Sequence, residues 1–381
     1  GGRIQSLPWA GTFLGHGSLS LDFVAAGHGM PDEDTGADES VAAEGIRVLE
    51  LVLDPARPRP RSPGRTRGRR PGRPQRRPMD QPTVRSVLPA RTRDDLAALG
   101  PSVAALAGGS GIFAEPHPHL TGLVDLHALG WESLVVTDEG LEIAATCTIA
   151  EVAGIPPRDS WAAPPLFLQA CTALFGSTKI WRVATVGGNI CSALPAGPMT
   201  ALASALDAEA LIWRAATVDE PAHDERMPVA ELVTGDRTTA LRPGDVLRSI
   251  HVPASSLRAR TAFRKIALSP IGRSGSVVIG RLDEGGAFTL TVTGATLRPE
   301  PLRYPALPAA GVLADDVRAI GSWFTDAHGA ADWRRAVSAL LAEEIRAELA
   351  GDDAGSGDGP PSGERGTPAG AAATTTAGAR P

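Results

Sequence analysis

Alternation of apolar and polar residues along the middle of the chain predicts short strands interspersed with helices. A period of two predicts a strand, and apolar residues three or four positions apart predict a helix. The predicted strands cover 121–126, 133–138, 141–148, 210–213 and 245–253. The predicted helices cover 94–100, 164–176 and the segment that begins near Met199. This order of elements predicts an α+β domain.

A different pattern begins near Arg260. Apolar segments joined by glycine-rich turns predict three antiparallel strands, which cover 261–268, 275–283 and 287–297. A strongly periodic segment, 331–350, predicts a closing helix. We therefore predict an α+β fold with one domain over 79–255 and a smaller sheet-plus-helix domain over 256–350.

Both ends of the chain differ from this central part. Residues 57–78 carry ten arginines and six prolines, a composition that cannot offset its ordering entropy. We predict that residues 1–78 are disordered or an extension outside the natural protein, because Met79 opens a segment typical of a protein start. An arginine-rich segment can also bind nucleic acid, which is the alternative. Residues 351–381 lack large apolar side chains and predict a disordered tail.

Composition narrows the class of protein. A length of 381 residues suggests two or three domains, and the net charge of −6 favours neither nucleic acid nor a membrane surface as partner. No apolar stretch is long enough for a transmembrane helix, and no secretory signal is visible. The spacing of Cys147, Cys171 and Cys191 matches no metal or iron–sulfur pattern. We expect a cytoplasmic protein with reduced thiols and no metal site.

Two glycine pairs are the candidate binding residues. The first lies in "LAGGSGIF" and the second in "TVGGNI", where Thr185 and Val186 lead into the glycines of a predicted buried strand. Successive amides in such turns suit phosphate oxygens, and a residue without Cβ allows close approach. On the residues alone, tight structural turns are the favoured explanation of the pairs and phosphate binding is the alternative, since neither segment is a P-loop or a dinucleotide fingerprint.

The order of the motifs is more specific than either pair. "LAGGSGIF", "LVDL", "LEIAATCTIAEVA", "ATVGGNICSALPAG", "ALDAEALI", "LRPGDVLRSIHVP" and "FRKIAL" follow one another. This series resembles the FAD-binding medium subunit of molybdenum hydroxylases of the carbon monoxide dehydrogenase and xanthine dehydrogenase type. The resemblance covers about residues 84–350. It implies a two-subdomain FAD-binding domain of the molybdopterin dehydrogenase type, followed by a smaller C-terminal flavoprotein domain.

The resemblance also implies the site. Two loops would hold the pyrophosphate of non-covalently bound FAD, and no side chain would act as a catalytic acid or base. The first comprises Ala107, Gly108, Gly109, Ser110, Gly111 and Ile112, and the second Thr185, Gly187, Gly188 and Asn189. Three departures from the family pattern concern the surroundings of the flavin: Pro198 stands where an Asp is common, Trp181-Arg182 replace Arg-Asn, and Glu115 follows the first loop where a basic residue is usual.

The implied function is electron transfer within a larger assembly. An iron–sulfur subunit and a molybdopterin-containing large subunit would be the partners in a hetero-oligomer, and FAD would pass electrons to NAD or another acceptor. Two alternatives remain open: a degenerate scaffold subunit without flavin, and a free-standing FAD oxidoreductase of the same fold.

Overall fold

The computed structural model describes residues 81–269 and 272–354, with side chains to residue 351. All of them lie in one compact unit that begins at Pro74. The predicted extension over 1–78 lies outside the described residues. Part of the predicted tail does not, and residues 351–354 continue the last helix. The prediction of a disordered tail is therefore wrong for these four residues, because the helix extends one further turn.

Strands and helices alternate through the first two thirds of this unit. The strands are β1 Ser86–Pro89, β2 Val103–Leu106, β3 Gly122–Asp125, β4 Leu134–Thr137, β5 Gly140–Ala144, β6 Glu209–Arg214, β7 His223–Pro228, β8 Val233–Gly235, β9 Thr238–Thr239, β10 Val246–Pro253, β11 Arg260–Ala267, β12 Ser274–Leu282, β13 Phe288–Thr293 and β14 Glu300–Tyr304. The α-helices are α1 Ile149–Ala153, α2 Pro164–Thr172, α3 Thr178–Trp181, α4 Val186–Cys191, α5 Pro198–Ala205, α6 Val229–Leu232, α7 Ala254–Arg258, α8 Val312–Ala319 and α9 Ala331–Ala354. Short 3₁₀ helices cover Arg93–Ala98 and Leu126–Leu129.

The strands form three sheets and one hairpin. A small parallel sheet has the order β1-β3-β2, and an antiparallel sheet has the order β4-β5-β10-β6-β7. Strands β11 to β14 form an antiparallel meander in chain order, and β8 pairs with β9. The predicted α+β class is confirmed, with the three strands after Arg260 antiparallel as expected. Strand β14 was not predicted, because Pro301 lies within it.

The main core lies between the five-stranded sheet and helices α1 to α7. It includes Ile143 of β5, Phe167 of α2, and Leu202 and Leu206 of α5. Val277 of β12 also belongs to it, so the meander covers this core with one face. The other face of the meander packs against α8 and α9. Helix α5 therefore lies between the glycine loops and the meander.

A group of ion pairs joins the end of α5 to the meander. Asp207 follows the helix with a left-handed backbone, at φ 51°. Its carboxylate accepts hydrogen bonds from Arg281 Nη2 at 2.5 Å and from Arg303 Nη2 at 2.6 Å. Arg281 also donates to the carbonyl oxygen of Ala205 at 3.0 Å, and its side chain is only 6% exposed. These contacts attach the C-terminal end of α5 to strands β12 and β14 of the meander.

Candidate functional site

The first glycine loop is a compact turn with free donors. It follows β2, and Gly109 has φ 71°, a value that favours glycine. The amide of Phe113 donates to the carbonyl oxygen of Gly109 at 3.0 Å, which folds the chain back. Among the described residues, no acceptor lies within hydrogen-bonding distance of the backbone amides of residues 107–112. Consecutive amides that have no acceptor in the described part of the chain can donate to an anion.

The second glycine loop is a short helix, and the prediction of a strand there is wrong. The Thr185 hydroxyl caps α4 by accepting from the amide of Gly188 at 3.1 Å. Val186 donates to the carbonyl oxygen of Cys147 at 2.8 Å, and Gly187 donates to that of Ala145 at 2.9 Å. The β-branched pair before the glycines resembles a strand in sequence. The threonine instead serves as an N-cap, a role for which its side-chain oxygen is suited.

The amides of residues 186–189 are already engaged, since Asn189 also donates, to the carbonyl oxygen of Thr185 at 2.9 Å. Among the described residues of this loop, the amide of Thr185 and two side-chain donors remain for a ligand. The Thr185 hydroxyl still has its hydrogen, and Asn189 uses Oδ1 to accept from the amide of Met199 at 3.0 Å, which leaves its NH₂ group. The sequence-based expectation that both loops present backbone amides is therefore wrong for the second.

The fold brings the two loops into contact. A Cβ atom added to Gly108 would lie 1.4 Å from the carbonyl oxygen of Val183 and 3.2 Å from Thr185 Cγ2. At the other end of the first loop, a Cβ on Gly111 would lie 3.9 Å from Ser192 Oγ. The backbone of the first loop therefore follows the segment from Val183 to Ser192. Ser110 and Ile112 lie in the same turn and are half-buried.

The glycines of the second pair have different surroundings. A Cβ on Gly187 would lie 2.5 Å from Ala145 Cβ and 2.8 Å from its carbonyl oxygen, so this glycine allows α4 to pack on the end of β5. A Cβ on Gly188 would meet only its own cap, Thr185 Oγ1, at 2.9 Å. Gly188 is exposed. Close packing against β5 therefore explains why a glycine is present at position 187. At position 188 the packing gives no such reason, and close approach of a ligand remains the explanation.

Exposed apolar side chains lie beside the first loop and in the segment before the second. Phe113 is 45% exposed and contacts Gly109, and Val183 is exposed beside Gly108. Phe175 is 69% exposed and, with Ile180, precedes the second loop. A group of exposed apolar residues beside hydrogen-bond donors suits a ligand that has flat rings and phosphates. Sequence reasoning missed Phe175 as a surface residue, because its position in the predicted helix 164–176 predicts a core.

Two of the departures from the family pattern are accommodated locally. Pro198 occupies the first turn of α5 after Gly197, a position that favours proline. Trp181 ends α3 with its indole nitrogen buried and, among the described residues, without a hydrogen-bond acceptor.

The thiols and histidines lie in ordinary environments. Burial raises the pKa of Cys171 to about 12 and that of Cys147 still further, so both are protonated at neutral pH. Cys191 is exposed. The rings of His117 and His119 contact each other edge to face. Within 81–269 and 272–354, no three metal-ligating side chains come together, and no helix is long and apolar enough to cross a membrane.

Comparison with known proteins identifies the domain that carries these loops. Residues 84–255 match the sequence family described as the FAD binding domain in molybdopterin dehydrogenase. This range contains both glycine loops. A search of curated proteins found no match.

Solved structures share the fold. Quinoline 2-oxidoreductase from Pseudomonas putida 86 aligns with a TM-score of 0.59 and 18% identity, over 72% of this chain and 99% of that chain. Reconstituted CO dehydrogenase from Oligotropha carboxidovorans aligns with a TM-score of 0.58 and 19% identity, over 68% of this chain and 96% of that chain. Carbon monoxide dehydrogenase from Hydrogenophaga pseudoflava that lacks the Mo-pyranopterin moiety aligns with a TM-score of 0.57 and 18% identity, over 69% of this chain and 96% of that chain.

Proposed function

Because residues 84–255 form an FAD binding domain of the molybdopterin dehydrogenase type, we propose that this chain is the flavin-carrying subunit of a molybdenum hydroxylase. It is an oxidoreductase subunit of a cytoplasmic hetero-oligomer. Electrons from substrate oxidation on a molybdopterin-containing large subunit reach it through an iron–sulfur subunit and leave to NAD or another acceptor. The names of the solved structures that share the fold, quinoline oxidoreductase and CO dehydrogenase, support this role.

The described residues fit FAD. The amides of residues 107–112, which have no acceptor in the described part of the chain, suit the pyrophosphate oxygens. Thr185 and Asn189 can add side-chain donors, and the open face of Gly188 leaves room for a ligand. Phe113 and Phe175 offer apolar surface to the rings. When bound, FAD supplies the redox chemistry, and the chain binds and orients it.

The chain depends on partners for the other redox centres. An iron–sulfur cluster of the ferredoxin type needs four cysteine thiolates, and this sequence has three cysteines. Two of these are buried and protonated, in β5–α1 and in α2. The clusters that deliver electrons therefore belong to another chain. These amides of the first loop, without an acceptor among the described residues, are the single observation that most supports a nucleotide at this site.

We expect the purified full-length chain to contain FAD that acid precipitation releases in full. The measurement is the absorbance of the native protein, followed by chromatography of the supernatant. Colourless protein that stays unbound in excess FAD would contradict the proposal and favour a scaffold subunit without flavin. Flavin that remains in the precipitate would contradict non-covalent binding and favour a free-standing oxidoreductase.

A further inference from the structure

Arg237 lies at the turn of the β8–β9 hairpin, beside the second glycine loop. Its backbone has φ 55°, a conformation that residues other than glycine seldom adopt. Its amide donates to the carbonyl oxygen of Ala193 at 2.8 Å. Ala193 lies two residues beyond α4 and also has a left-handed backbone, at φ 45°. The hairpin turn is therefore attached to the C-terminal end of α4.

The side chain of Arg237 also reaches the first loop. Its Nη2 lies 3.6 Å from Oε1 of Glu115, three residues beyond Ile112. Gln81 Nε2 donates to the carbonyl oxygens of both Ile112 and Glu115, at 2.6 Å each, and so fixes this end of the loop. Arg237 therefore contacts the segments that follow both glycine loops. It lies at the edge of the space between them.

The ion pair with Glu115 does not explain why an arginine is present here. The two side chains are 63% and 61% exposed, and pairs as exposed as this contribute little to stability. A diphosphate brings negative charge that neutral amides cannot balance. An arginine presents a planar set of donors that matches phosphate oxygens.

We propose that Arg237 is the cation that binds the phosphate oxygens of the flavin nucleotide, and that Glu115 competes with the nucleotide for it. The inference rests on the proposed function and names a residue outside both glycine loops. It accounts for the acidic residue at the end of the first loop, because the positive charge comes from the β8–β9 turn. When the nucleotide binds, Arg237 leaves the carboxylate of Glu115 and pairs with the phosphate oxygens.

The two residues should have opposite effects on FAD affinity. Arg237→Gln should raise the Kd for FAD about tenfold, the loss typical of one charged hydrogen bond. Glu115→Gln should lower the Kd, by up to about fivefold, because Arg237 is then released. The double variant should behave like Arg237→Gln alone. Quenching of flavin fluorescence by the full-length apoprotein measures all four constants.

Salt dependence and control variants complete the test. Raising the ionic strength should weaken FAD binding to the wild type more than to Arg237→Gln, because salt screens exposed charges. Arg318→Gln in α8 removes an equally exposed, ion-paired arginine and should leave the Kd unchanged. Arg182, exposed beside Val183, is the competing candidate, and Arg182→Gln should have the smaller effect.

Three results would overturn the proposal while leaving FAD binding by the wild type intact. These are an unchanged Kd in Arg237→Gln, a raised Kd in Glu115→Gln, and a larger effect in Arg182→Gln than in Arg237→Gln. Failure of the wild type to bind FAD would instead contradict the proposed function. The two failures are therefore distinguishable.

Discussion

Gly188→Val is expected to abolish FAD binding while the chain remains folded. An added Cβ at Gly188 meets only the hydroxyl of Thr185, at 2.9 Å, and no other heavy atom of the described residues within 4 Å. The fold loses at most the helix cap, which is worth about 1 kcal/mol. The valine side chain would occupy the space that the phosphates of FAD need at this loop. We expect the Kd for FAD to rise beyond measurement, with the melting temperature lowered by a few degrees.

Gly187→Val is the matched control, because it makes the same change one residue earlier. Here the side chain would overlap Ala145, whose Cβ and carbonyl oxygen lie 2.5 and 2.8 Å from the added Cβ. Overpacking of this kind typically costs about 1–3 kcal/mol. We therefore expect Gly187→Val to lower the melting temperature more than Gly188→Val does.

Circular dichroism and flavin absorbance on the same samples separate the two glycines. Normal FAD binding by Gly188→Val would show that the ligand lies elsewhere. A collapse of the fold in Gly188→Val, with no loss in Gly187→Val, would reverse the assignment of the two positions.

Asp207→Ala is expected to lower the free energy of unfolding by about 3 kcal/mol at pH 7, the lower end of the range for breaking a buried ion pair. The carboxylate oxygens of Asp207 lie 2.5 Å from Arg281 Nη2 and 2.6 Å from Arg303 Nη2, and the side chain of Arg281 is buried. Without Asp207, the guanidinium of Arg281 loses one of its two carboxylates. Urea unfolding measures the change.

Two further variants separate the loss of the Asp207 carboxylate from the strain that a left-handed backbone imposes on alanine. Asp207→Gly removes the same carboxylate but suits the left-handed backbone at φ 51°, so it should cost less than Asp207→Ala. Asp283→Ala removes the other carboxylate beside Arg281, at 2.9 Å, and leaves Asp207 in place. It should also cost less. Equal losses in all three variants would contradict a specific role for Asp207.

The effect of Asp207 should depend on pH in a stated direction. Partial burial raises the pKa of this carboxyl, but hydrogen bonds from Arg303 and the charge of Arg281 outweigh burial and hold it below the ordinary 3.8. A lowered pKa in the folded state stabilises the protein above the unfolded-state pKa. This contribution is lost as the pH falls through the folded-state value. The stability difference between wild type and Asp207→Ala should therefore shrink below about pH 3.8.

Local patterns predicted strands β3 to β6 and β10 to β13 and helices α2, α5 and α9, and they missed most of the shorter elements. Helix α9 follows from strong periodicity, because it packs one face against the meander. Strands β11 to β13 follow from apolar segments joined by glycine-rich turns, and β12 and β13 are buried on both faces. Strand β14 escaped prediction because Pro301 interrupts its pattern, although the strand lies at the edge of its sheet, where proline is tolerated. Helix α4 was mistaken for a strand because two adjacent β-branched residues precede its glycines.

The sequence by itself determined the α+β class, the order of the longer strands and helices and the position of both glycine loops, because these depend on residues close together in the chain. Only the tertiary structure decided which amides are free and which glycine is packed. The amide of Gly187 is engaged by Ala145, 42 positions earlier, whereas those of residues 107–112 have no acceptor within the described part of the chain. It likewise decided that Arg237 meets Glu115, 122 positions away. Hydrogen-bond partners and close contacts are set by folding distant segments together, and no local pattern of residues specifies them.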